Sequence, residues 1–127
     1  MSDVISLEDY QQTARAGAAI RPGSQPDVFF DRRELDAILN LYAFMVGRGE
    51  WRDYAISHDR ESCCFAVFRR SSDEPLYRIV KTPKLARKQG VYCVAAPGGR
   101  VLKRGKTLAS ALADLERQRL KLINAAD

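Results

Sequence analysis

The chain has 127 residues, 46% hydrophobic and 29% charged, a size and balance that suit one domain with a modest core and exclude a disordered chain. The net charge of +5 is unevenly spread: residues 1–68 hold 7 basic and 11 acidic side chains, residues 69–106 hold 11 and 2, and residues 107–127 hold 3 of each. No run approaches the roughly 20 apolar residues needed to cross a bilayer, and the acidic start from Met1 to Tyr10 lacks a secretory signal pattern, so a cytoplasmic protein without membrane contact is expected.

Residues 1–28 read as a leader, flexible or ordered by a partner, ahead of a single α+β domain over 29–127. A short helix over Ser6–Ala19 is weakened by Ala16-Gly17-Ala18-Ala19 and ended by the linker Arg21-Pro22-Gly23-Ser24-Gln25-Pro26. Asp31 and Glu34 have capping-box spacing, with Asp in place of the usual Ser or Thr. Leu35, Ile38, Leu39, Tyr42, Met45 and Val46 then mark one apolar face, and Gly47 and Gly49 supply the stop. A helix over 32–47 follows.

Five short strands come next. Tyr54–His58 is the first, turned by Asp59-Arg60-Glu61-Ser62. Cys63–Arg69 is apolar on both faces and so central. Arg70–Pro75 is a turn, Leu76–Lys81 the third strand, Thr82–Gly90 a basic connector and Val91–Ala96 the fourth strand. Pro97-Gly98-Gly99 makes a hairpin turn, because glycine accepts the positive φ required there. Arg100–Arg104 is the fifth strand. Thr107 caps a closing amphipathic helix over 108–124, marked by Leu108, Ala111, Leu112, Leu115 and Leu122. Short turns favour an antiparallel meander, and the two helices have only the sheet to cover.

Asp31-Arg-Arg-Glu-Leu, Gly49-Glu-Trp-Arg-Asp-Tyr-Ala-Ile, Pro75-Leu-Tyr-Arg-Ile, Pro83-Lys-Leu-Ala-Arg and Ala96-Pro-Gly-Gly-Arg-Val-Leu-Lys-Arg-Gly together resemble an alphaproteobacterial family described as a domain of unknown function. The resemblance covers about residues 29–115. It implies a small, stand-alone, cytoplasmic bacterial protein, and it brings no activity or catalytic residues with it.

The strongest functional signal is the positive stretch. Arg69, Arg70, Arg78, Lys81, Lys84, Arg87, Lys88, Arg100, Lys103, Arg104 and Lys106 supply the charge and hydrogen bonds that phosphates need. Tyr77, Tyr92 and Trp51 are candidate aromatic contacts, with base stacking in view for the two tyrosines. The plainer reading is a solvated sheet face, edge protection by cations and core aromatics, with Trp51 seating the first helix on the sheet. Neither the connector nor Pro97-Gly98-Gly99-Arg100 has the pattern and context of a phosphate-binding loop.

His58 is the only histidine. With Cys63 and Cys64 it gives neither a metal-ligand spacing nor a convincing nucleophile pair, and the three cysteines read as free thiols, in the ordinary case buried on strands. No cofactor, metal or catalytic residue is assigned. The expected function is a basic, non-catalytic binding protein that contacts RNA or DNA. The alternative is an adaptor or small subunit that meets an acidic protein, and an enzyme is the remote third.

Overall fold

The computed structural model describes residues 3–5, 26–70 and 74–125. The anticipated leader helix, the linker up to Gln25 and the centre of the Arg70–Pro75 turn lie outside them. An antiparallel sheet of six strands runs in chain order: β1 Asp3–Ile5, β2 Asp53–His58, β3 Cys63–Phe68, β4 Tyr77–Lys81, β5 Tyr92–Ala95 and β6 Val101–Gly105. The expected meander forms, and β1 extends it by one short strand alongside β2, with Ile5 opposite Ile56.

Helix α1, Arg32–Gly47, starts as its sequence dictates. The Glu34 N–H donates to Asp31 Oδ1 and the Asp31 N–H donates to Glu34 Oε1, both at 2.8 Å, so two of the orphan amides of the first turn are satisfied. Leu35, Ile38, Leu41 and Met45 are buried on one face. Tyr42 meets the rings of Tyr54 and Phe65 edge-on at 5.2 and 5.8 Å. Beyond the helix, Gly49 takes φ +75, which lets the chain turn back so that the amides of Glu50 and Trp51 bond to Met45 O. Trp51 is 3% exposed and packs against Tyr42 and Tyr77, which is the seating role read from its position.

The closing helix comes in two pieces, α2 Leu108–Ala111 and α3 Ala113–Ala125, separated at Leu112, which caps α2 with φ −83 and ψ −1. Thr107 caps α2 through its side chain. Close approach explains the glycine just before it: a Cβ on Gly105 would lie 2.8 Å from Ser110 Oγ, so α2 rests on a strand position kept bare. α3 lies along α1, where Arg119 reaches Asn40 Oδ1 at 3.3 Å and covers the Phe44 ring.

Strand registers define the two faces. Ile56, Phe65, Ile79 and Val94 stand opposite one another across four strands and are all buried. Together with α1, α2 and Leu115 of α3 they make the core. The residues between them in sequence point the other way: Cys64 and Ala66, Arg78 and Val80, Cys93 and Ala95, and Arg104. On that face Ala66, Cys93 and Ala95 are buried and Arg78 is exposed. Among the described residues no helix is long and apolar enough to cross a membrane.

Candidate polyanion-binding surface

Strand alternation sorts the cations before any ligand is considered, because a step of one residue moves a side chain to the other face. The row His58, Cys63, Lys81, Tyr92 and Gly105 runs across the sheet at the connector end, and it faces the helices. Lys81 therefore points inward. Its Nζ donates to Glu34 Oε1 at 2.7 Å and to Phe29 O at 2.9 Å. The Tyr92 hydroxyl donates to the other oxygen of the same carboxylate. One glutamate thus closes the capping box, neutralises a half-buried lysine and holds a tyrosine, tying the start of α1 to β4 and β5. The Tyr92 hydroxyl is pushed above its ordinary range, first by burial and then by its bond to Glu34. That direction suits a structural donor and not an activated base.

The same alternation separates Tyr77 from Arg78. Tyr77 faces inward beside Trp51, and its hydroxyl accepts from Gln118 at 3.3 Å. Tyr77, Tyr92 and Trp51 therefore all lie on the helix-covered side, while Arg78 projects outward and is exposed. Arg104 projects outward too and is half-buried; Lys103, opposite Val94, sits on the inward face at the sheet margin.

The remaining cations occupy the two ends of the sheet. Arg69, Arg70 and Arg100 are exposed at the end where β3 turns into β4 and β5 into β6. Lys84, Arg87 and Lys88 lie at the opposite end, roughly 17 Å away at the usual rise per strand residue, and Lys106 joins them beside Gly90. The eleven cations do not form one patch.

The connector is held by its own backbone hydrogen bonds. Thr82 N bonds to Val91 O at 2.7 Å and closes its base. Pro83–Leu85 form one turn of 3-10 helix, and the amides of Lys88, Gln89 and Gly90 all converge on Leu85 O. Gly90 takes φ +97, and a Cβ there would meet Gly105 O at 2.7 Å, so the connector is pressed against the end of β6. Lys84, in the 3-10 turn, and Arg87 and Lys88, in the turn that follows it, are all exposed. Lys84 pairs with Glu61 at 2.9 Å in the open. Among the described residues no carboxylate pairs with Arg87 or Lys88.

The titratable cluster around the histidine is closed. His58 Nδ1 lies 2.6 Å from Asp27 Oδ2, its ring rests on Phe29, and its cross-strand neighbour Cys63 is fully buried. Asp27 was not singled out from the sequence, and it falls 31 residues from His58, beyond the reach of any local pattern. Cys63, Cys64 and Cys93 are thiols without disulfides. Burial pushes the Cys64 thiol up to about 11, against the lowering effect of Arg78. A cleft of about 410 Å³ lies elsewhere, between α1 and the α2–α3 junction, lined by Arg33, Glu34, Ala37, Leu108, Ala109, Leu112 and Glu116. It brings no nucleophile beside a base. Among the described residues no three His, Cys, Asp or Glu side chains are placed to hold a metal ion.

Residues 28–112, more than half of the chain, match the family described as Protein of unknown function (DUF2794), and the chain belongs to that family. Neither a curated protein nor a solved structure matches it.

Proposed function

We propose that this family member is a non-catalytic binding protein that contacts the phosphate backbone of RNA or DNA through its connector, with the outward arginines as a secondary contact. The observation that carries the reading is the connector itself. Lys84, Arg87 and Lys88 stand exposed on a connector whose backbone is already hydrogen-bonded in place. A rigid cationic turn loses little freedom on binding, so more of its electrostatic attraction appears as affinity. Lys106 at the same end, and Arg104 and Arg78 on the outward face, extend the positive surface. The outward positions of β3 to β6 carry no acid to interrupt it.

The aromatic residues have no part in this contact, since all three lie against the helices. Backbone contact without stacking favours recognition by charge and shape over recognition of sequence. The decisive experiment is an anisotropy titration of the purified chain with labelled single-stranded RNA, single-stranded DNA and duplex DNA at low and physiological salt. Saturable binding that persists at physiological salt supports the reading. Binding confined to low salt, or none, refutes it and leaves the positive surface to an acidic protein.

A further inference from the structure

We propose a second interaction surface: the free edge of β6, which docks an extended acidic segment of a partner protein as an added strand. β6 ends the sheet. It pairs with β5 on one side, and no described strand pairs with it on the other. An edge of this kind offers backbone N–H and C=O groups in alternation, and proteins ordinarily guard it with proline, cover or charge. Here the guard is partial. The strand contains no proline, and Val101 and Leu102 stand 45% and 36% exposed, two of the few large apolar side chains left in solvent. Ala95 opposes Val101 and Val94 opposes Lys103, so Leu102 is the extra residue of a bulge.

The chemistry of the edge selects its occupant. Residues 100–106 contain Arg100, Lys103, Arg104 and Lys106 and no acid. A second copy docking antiparallel by two-fold symmetry would bring these cations onto each other, which is unfavourable. A nucleic acid would use the donors of the edge and leave its carbonyls facing phosphate. An extended peptide satisfies donors and acceptors together, aspartate and glutamate meet the four cations, and aliphatic side chains between them cover Val101 and Leu102. This surface shares Arg104 and Lys106 with the positive surface proposed above but uses none of Lys84, Arg87 and Lys88.

The test uses the full chain, isotopically labelled for amide NMR, at physiological salt. The probe is the capped peptide Glu-Val-Asp-Ile-Glu-Val-Asp, and its control has proline in place of isoleucine. The proposal expects saturable shifts centred on Arg100–Gly105, slower hydrogen exchange at alternate β6 amides, and binding by the proline peptide at least about tenfold weaker, because proline cannot donate to the ladder. The doubly exposed change Val101→Glu with Leu102→Glu should abolish the shifts while thermal melting shows the fold intact. Equal binding of both peptides means simple charge attraction and overturns the proposal. Shifts centred on Lys84–Lys88, or no saturation into the millimolar range, overturn it as well. So does concentration-dependent dimerisation that already protects β6 without peptide, since a second copy would then be the occupant.

Discussion

Lys81 and Lys84 are three residues apart in one basic stretch, and they have opposite fates. Lys81 ends a strand on its inward face and is held by Glu34 and Phe29 O. Lys84 begins the turn beyond it and stands in solvent, with only an exposed partner. The lesson is that the sum of charge over a stretch says where an acidic partner is worth seeking, while strand parity says which cations remain to meet it. A buried pair is expensive to desolvate and costly to break, so Lys81 belongs to the stability of the fold and Lys84 to its surface.

The sharpest break of that contrast is Lys81→Met, which leaves the Glu34 carboxylate without its cation while the Tyr92 hydroxyl and the Asp31 N–H still donate to it. It should cost about 3–5 kcal/mol of stability in chemical denaturation, and adding Glu34→Gln should restore part of the loss. A Lys81→Met chain as stable as the wild type would place Lys81 with the surface cations. Tyr92→Phe removes one donor from the same carboxylate and should cost about 1.5–3 kcal/mol, the range for hydrogen bonds to charged groups. It should leave polyanion binding untouched.

The outward face yields a pH test. With the Cys64 thiol raised from 9.0 to about 11 by burial, the folded chain keeps a proton that the unfolded chain loses. Stability should therefore fall as pH rises from about 9 towards about 11, and the raised Tyr92 hydroxyl carries the fall further. Cys64→Ser should reduce that fall in a series of melts. Alkylation of the folded chain near pH 8 should be slow, since the thiolate is the reactive form. Rapid labelling of Cys64 there would mean that the outward face is far more open than its burial indicates.

Much of this was legible beforehand. The first helix and its capping box followed from Asp31, Glu34 and the apolar spacing after them, and the glycine turns followed from the need for positive φ. The seat of Trp51 was read correctly as the more ordinary of its two roles. The Glu34–Lys81–Tyr92 network was missed, although one signal was available: Tyr77, Ile79 and Lys81 alternate with Arg78 and Val80, so Lys81 had to share the face of Ile79. The same alternation puts Tyr77 and Tyr92 on the helix side of the sheet, away from Arg78. The break at Leu112 had no sequence mark, because Leu112 fits the apolar stripe of one continuous helix. The Asp27–His58 bond joins residues far apart in sequence and depends on tertiary structure alone.

The smallest expected effect on stability belongs to the connector, and the largest on binding. Replacing Lys84, Arg87 and Lys88 by alanine should change stability by no more than about 0.5 kcal/mol per site, as exposed positions do. The most direct test of the account is the salt dependence of duplex-DNA affinity in that triple variant beside the wild type, with thermal melts of both. The account predicts equal melting temperatures and a slope of log affinity against log salt that is shallower by about 2, two to three phosphate contacts having been lost. An unchanged slope and affinity in a fully folded variant would contradict it, and the connector would not be the contact.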